Sequence, residues 1–390
     1  MNFERPYEGL TVVDMSQGVA GPYCAMLLAQ NGADVIKIEP AEGDWARHLG
    51  KTYGDHTAFS VAANLGKRSI VMDLKHEGAQ AVVDRMIEKA DVFLEGFRPG
   101  VIDRLGYSYE RLSAFNPGLI YVSVSGFGQS GPMRERPAMD PVLQAFTGFM
   151  AENKGADGIP HRTPVIINDM ATALYATQAV QSTLYARAAG RPGRKIELSL
   201  MEASTNLQVV RLLDNYREGP FKIAATPSGT FRTADGWLQV VCAKDRDWQR
   251  LCKAMDWPDL AEDPRYATMA QRFAEADFLV GKLGETLASG PTAQWKPRLE
   301  ENGIQHEVVQ DYPDFIKHPQ PNAIGLFSWL DQPGSEEPWP VPNIPAMPKY
   351  QPGSPYASAP TIGEHTREIL VDFGYADDDI DGLLETGVVR

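Results

Sequence analysis

The sequence predicts an α/β protein: a doubly wound large domain followed by a small α+β domain. Three observations predict it. Short apolar runs alternate with helical stretches through the first third of the chain, which calls for parallel strands joined by right-handed crossovers. A hairpin signature opens a region of different texture near residue 228. The chain, 390 residues with 43% hydrophobic content, is too long for one small core.

The strand runs come in order. Leu10-Thr11-Val12-Val13-Asp14 is followed by Gly21-Pro22 and a helical stretch from Tyr23 to Gln30 that Asn31-Gly32 closes. Next come Ala33 to Glu39, Ser69 to Asp73, Asp91 to Leu94 and Leu119 to Val124, with a helix from Gly78 to Lys89. Asp169 to Ala189 reads as an amphipathic helix with Met170, Ala173, Leu174, Thr177, Val180 and Leu184 inward. Val165 to Asn168 reads as an apolar strand leading into it. Lys195 to Leu200 is another strand. Ser228 to Cys242 forms the hairpin around Ala234-Asp235-Gly236, and helices follow around 247–255, 267–287 and 292–302. Nine prolines between Pro333 and Pro360 predict an extended linker. The expected division is a large domain over 1–205 with 325–390 returning to it, a small domain over 225–322, and linkers at 206–224 and 323–361.

Composition excludes several function classes. A net charge of -14 opposes nonspecific binding to nucleic acid or anionic membrane. Cys24, Cys242 and Cys252 are far apart and odd in number, which suits a reducing cytoplasm and offers no disulfide framework. The seven histidines show no metal-ligand spacing, so no metal site is expected. The Met1 to Pro6 start lacks an apolar signal core, and no run of 18 apolar residues appears, so neither secretion nor membrane insertion is expected.

Ligands of doubly wound sheets bind beyond the carboxyl ends of the strands. The polar turns Ser16-Gln17-Gly18, Glu95 to Gly100 and Ser125 to Pro132 fall there. No GxGxxG follows the first strand, which opposes a nucleotide-dependent dehydrogenase.

These turns also carry a family likeness. Asp14 to Pro22, Gly32 to Glu39 with Gly43-Asp44 and Arg47, Lys67-Arg68-Ser69-Ile70, Glu95-Gly96-Phe97-Arg98-Pro99-Gly100, Ser125 to Gly128, Asp169, and Gly363-Glu364-His365-Thr366 occur in one order along the chain. In that order the sequence resembles the class III coenzyme A transferases, the CaiB/BaiF-like family of formyl-CoA transferase and carnitine CoA-transferase. The resemblance implies a Rossmann-like large domain and an interlocked homodimer. It implies transfer of coenzyme A from an acyl-CoA to a small carboxylic acid, with coenzyme A as a substrate and no permanently bound cofactor. It assigns Asp169 as the nucleophile and places Gln17 beside the acyl group. For the coenzyme it points to Phe97, Arg98, Arg104 and Lys67, and Gly126 and Gly128 would let backbone approach the same ligand. Leu65-Gly66 departs from the family's usual Arg-Asn at that place.

The residues themselves leave plainer readings open. Asn168 or Asp169 is an ordinary helix cap by pattern. Arg98, Arg104 and Lys67 are surface charges, Gly126 and Gly128 a tight turn, and His365 a structural residue at a helix start. The nearest rival activity is that of the α-methylacyl-CoA racemases, which need two acid/base groups about one carbon. Met139 stands where their histidine does and moves no proton. A noncatalytic acyl-CoA-binding protein is the third reading.

Overall fold

The computed structural model describes residues 5–155, 157–219 and 225–390. Its contacts divide into two compact units, one comprising the chain through Tyr216 together with Gly325–Arg390, the other Arg217–Ile324.

The first unit is built on six strands: β1 (Thr11–Asp14), β2 (Asp34–Glu39), β3 (Arg68–Val71), β4 (Val92–Glu95), β5 (Ile120–Ser125) and β6 (Lys195–Ser199). They lie in the order β3-β2-β1-β4-β5-β6, and each pairing is parallel. The order reverses between β1 and β4, which places a crevice at their carboxyl ends. Side chains alternate between the faces, as the strand period demands. Val13, Ile36, Ile70, Phe93 and Tyr121 pack on one side, with the helix Ala79–Ile87 and the C-terminal residues Ile369, Phe373 and Ile380. Val12, Val35, Leu94, Val122 and Ile196 pack on the other, against the helices Ala20–Gln30 and Ile167–Ala188.

Four expectations need correction. Val165 and Ile166 form no strand; the helix begins at Ile167. Its buried face carries Ala173, Ala176, Thr177 and Val180, whereas Leu174 is exposed. Small residues bring this helix close to Ala20–Gln30, so volume rather than hydrophobicity set the contact. The proline-rich stretch is no free spacer. It holds the two-stranded sheet of β10 (Phe327–Leu330) and β11 (Trp339–Pro342), after β7 (Ser228–Arg232), β8 (Trp237–Val241) and β9 (Gln305–Val308) of the second unit. A two-stranded sheet has only edges, where proline is tolerated. Leu330, Tyr350, Ala357 and Ala359 pack there with Met26, Leu27, Val61 and Leu65. The presumed linker at 206–224 likewise holds the helix Val209–Glu218, with 220–224 outside the described residues.

In the second unit β7, β8 and β9 form an antiparallel sheet. Helices pack on it around Trp248, Leu283 and Trp295.

Beneath the turn after β1 lies a group of buried charges. Asp14 pairs with Lys67 at 2.8 Å, Lys37 with Asp44 at 2.9 Å, and Arg47 with Glu39 at 2.6 Å. Lys67 Nζ donates to Asp14, Asn64 Oδ1 and the Pro22 carbonyl. Its three donors are thereby used within the protein. The structure thus assigns this lysine to internal support rather than to the coenzyme contact expected from the sequence. Burial alone would raise the Asp14 carboxyl, but Lys67 and Lys37 hold it below its ordinary value.

Removing one member of a buried pair strands the other charge. Lys67→Ala is therefore expected to lower unfolding free energy by about 3–5 kcal/mol, read as a fall in the urea midpoint.

Candidate active site

The turn from Ser16 to Val19 is fixed from below. Ser16 N–H donates to Asp14 Oδ1 at 3.0 Å, and the Ser16 carbonyl accepts from Lys37 Nζ at 2.6 Å. Gly18 N–H donates to both Asp44 carboxylate oxygens, at 2.8 and 3.1 Å. Gly18 has φ +82° and lies against the Trp45 ring; a Cβ there would come within 2.2 Å of that ring. Only glycine meets both conditions. Gln17, between these anchors, is half-buried.

Gln17 lines a pocket of about 390 Å³ with Met15, Ile38, Leu74, Lys75, Phe97, Leu105 and Arg390 among its walls. That volume falls within the range of small-ligand sites. The walls come from the carboxyl ends of β1 to β4, the crevice the strand order calls for. Phe97 is held by a buried carboxyl: its N–H donates to Glu95 Oε2 at 2.9 Å, and Ser123 Oγ donates to Glu95 Oε1. Burial pushes the Glu95 carboxyl up to about 7.

Asp169 stands on the other side of the same turn. The N–H of Ala20, first residue of the helix that follows Val19, favours its ionised form. Asp169 is also in the first turn of its own helix. Two helix starts, each with unsatisfied N–H groups, therefore meet at one carboxyl. Neither Asn168 nor Asp169 is the cap the pattern suggested. Asp140, buried at the start of the helix Asp140–Phe146, supplies that service from outside. Its Oδ2 accepts from Asn168 N–H at 2.7 Å and its Oδ1 from Gln144 Nε2 at 2.5 Å.

Helix starts favour the ionised carboxylate. The balance goes the other way. Burial, helped by the negative Asp140, pushes Asp169 up to about 7, and the Ala20 N–H offsets only part of this. A carboxylate poised near neutrality and poorly hydrated is equipped for nucleophilic or proton-transfer chemistry.

The remaining candidates spread out. Arg98 and Arg104 are exposed, adjacent in sequence to the wall residues Phe97 and Leu105. Gly126 and Gly128 follow β5 and are not among the pocket walls. A Cβ on Gly126 would lie 2.2 Å from that of Ala138, so this glycine answers a packing need. Nothing lies within 4 Å of a Cβ on Gly128, whose N–H donates to Ser125 Oγ. His365 caps the helix Thr366–Asp372 and accepts from Ser69 N–H at 3.3 Å. Sequence reasoning missed Asp140, Glu95, Lys75 and Arg390. Asp140 had one signal, its place beside Met139 in the stretch compared with the racemases, and Glu95 opened the turn from Glu95 to Gly100; Lys75 and Arg390 had none.

The comparisons with known proteins decide the family. The model of "CoA-transferase family III" matches residues 7–366. The chain belongs to CoA-transferase family III. It is 35% identical over 330 residues to an acetyl-CoA:oxalate CoA-transferase of Acetobacter aceti, covering 82% of this chain and 85% of that one. It is 30% identical to a succinate–glutarate CoA-transferase of Agrobacterium fabrum, over 95% of this chain and 96% of that one. A crystal structure of a CaiB/BaiF family protein from Brucella suis superposes with a TM-score of 0.82 at 29% identity, over 94% of this chain and 99% of that one. The parallel sheet with its helices is thus the family's α/β fold. Among the described residues no helix is long and apolar enough to cross a membrane.

The raised Asp169 carboxyl has a consequence for stability. Its ordinary value is 3.8, and the fold lifts it to about 7. Its contribution is therefore full below the ordinary value and is lost as pH rises towards and through about 7. Asp169→Asn, free of this loss, is expected to melt above the wild type at pH 8, with the gap closing by pH 4 in ligand-free calorimetry.

Proposed function

We propose that this enzyme moves coenzyme A from an acyl-CoA donor to a small carboxylic acid through a mixed anhydride on Asp169. The observation that carries the reading is the Asp169 carboxyl, set between two helix starts and tied by Ala20 to the turn whose Gln17 lines the pocket.

The thioester carbonyl is the electrophile. The Asp169 carboxylate attacks it, the C–S bond breaks, and the thiolate of coenzyme A leaves. Asp169 then carries the acyl group as an anhydride. The carboxylate of the acceptor attacks this anhydride at the aspartyl carbon and releases the donor acid. The thiolate attacks the new acyl carbon, forming the product thioester and freeing Asp169. No proton is needed at any of these steps, so a carboxylate in a dry site suffices. Gln17 donates its amide to the acyl oxygens, where negative charge develops. Phe97, Arg98 and Arg104 serve the coenzyme along the pocket, and Lys75 adds a phosphate donor. Gly126 and Gly128 remain proposed as backbone positions near the coenzyme. The two named relatives act on oxalate and glutarate, which favours a dicarboxylic acid as acceptor.

A homodimer, interlocked as the resemblance implies, belongs to the same proposal. Tyr185, Val210 and Tyr216 are 82%, 74% and 84% exposed in the single chain, apolar surface of the sort a partner covers. A cytoplasmic location is likewise proposed. The racemase reading lacks the second of its two acid/base groups: Met139 moves no proton, and both Asp140 oxygens are already engaged.

Incubation of acyl-CoA donors with a panel of dicarboxylic and hydroxy acids, followed by mass spectrometry, is expected to show exchange. Asp169→Ala is expected to lower kcat by at least about 10³-fold, the scale for loss of a nucleophile; near-wild-type turnover in this variant rejects the assignment. In the wild type kcat/KM is expected to rise with pH through about 7 as Asp169 ionises. Asp140→Asn removes the neighbouring charge, so this limb is expected to move to lower pH, at some cost in stability from the lost Asn168 or Gln144 contact.

A further inference from the structure

We propose that Arg390 binds a phosphate group of the coenzyme, together with Lys75. The inference rests on reading the pocket as the coenzyme site.

Arg390 lies outside the stretch matched by the family model, which ends at 366. The fold nevertheless delivers it to the pocket. Asp73 N–H donates to the Val388 carbonyl at 3.0 Å, Val389 bridges to Met72, and Arg390 N–H donates to the Val71 carbonyl at 3.2 Å. Thr366 Oγ donates to the Arg390 carbonyl at 2.7 Å. Residues Val388 to Arg390 thus lie against the carboxyl end of β3 through an isolated antiparallel bridge and its flanking hydrogen bonds. Their backbone is fixed from both sides, so a ligand has only the arginine side chain left to order.

The guanidinium itself is uncommitted. Arg390 and Lys75 both line the pocket, both are exposed, and among the described residues neither makes a side-chain hydrogen bond or ion pair. Asp73 and Glu42 share these walls but pair with neither cation. In a chain of net charge -14, two free cations converging on one cleft mark a place for an anion. An arginine fork matches phosphate in two parallel hydrogen bonds, and a lysine adds a point charge. Coenzyme A offers two such groups, the 3′-phosphate and the diphosphate. The apolar walls Met15, Ile38, Leu74 and Leu105 suit the flat base beside them.

The test uses the full chain, wild type and Arg390→Ala, titrated calorimetrically with coenzyme A, dephospho-coenzyme A and pantetheine. Turnover of the matching thioesters is followed alongside, with Phe97→Ala as a parallel arm. Arg390→Ala is expected to weaken coenzyme A binding roughly tenfold, the lower end for a charge-assisted hydrogen bond. KM for the acyl-CoA rises likewise while kcat stays within about twofold, and Arg390→Lys recovers part of the loss. Pantetheine binding is unaffected. A loss confined to coenzyme A assigns the 3′-phosphate; a loss shared with dephospho-coenzyme A assigns the diphosphate. Equal affinities in wild type and variant, or an equal loss for pantetheine, overturn the inference. Failure of the underlying reading looks different: Phe97→Ala, in the same pocket wall, then leaves coenzyme A affinity unchanged as well, whereas with the reading intact only Arg390→Ala does so.

Discussion

The pairing of Lys67 with Asp14 and of Lys37 with Asp44, beneath the turn after β1, is the constraint on which the site depends. Four charges withdrawn from water are costly unless every donor and acceptor is used. Here they are spent on a backbone. Asp14 holds the Ser16 N–H, Lys37 the Ser16 carbonyl, Asp44 the Gly18 N–H, and Lys67 the Pro22 carbonyl. A loop at the end of a strand would otherwise be among the more mobile parts of the fold. With its backbone tied at these points, Gln17 faces the pocket and Ala20 faces Asp169 with little freedom left to lose on binding.

The second tension is between the helix starts and burial at Asp169. Free N–H groups from two helices favour a carboxylate; the apolar surroundings and Asp140 oppose it, and they prevail. Asp140 acts in both directions. It caps the helix that carries Asp169, which stabilises the fold, and it crowds the carboxyl with like charge, which destabilises the ionised form. In the proposed role of nucleophile, a carboxylate held this way gains reactivity from poor solvation, and the protein gives up stability near neutral pH to keep it so.

Much of the sheet was legible in the sequence because parallel strands buried on both faces leave continuous apolar runs bounded by glycine and polar turns. Asp169, Gln17 and Phe97 stood out through family motifs; Gln17 and Phe97 line one pocket, and Asp169 is not among its walls. What failed did so where distant parts of the chain meet. Lys67 looked like a surface cation because its partners, Asp14 and Pro22, are about fifty residues away in sequence. Val165 to Asn168 looked like a strand because three apolar residues run together, but Val165 is an exposed loop residue whose carbonyl accepts from Gln144, and Ile167 and Asn168 already belong to the helix. The prolines from 333 onwards announced an absence of helix but not the short sheet and the packing onto Met26 and Leu65. Arg390 had no local pattern at all; only the bridge between Val389 and Met72 brings it to the pocket.

The central claim is that the acceptor's oxygen passes through Asp169. An acceptor acid whose carboxylate carries heavy oxygen tests it directly. During turnover the acceptor attacks the aspartyl carbon, and the thiolate then leaves one of its oxygens behind on the enzyme. Proteolysis and mass spectrometry after a single turnover are expected to find one heavy oxygen in the peptide containing Asp169 and in no other, and further cycles add a second. The released donor acid acquires the label in later cycles. Product formation with no label on that peptide would contradict the account.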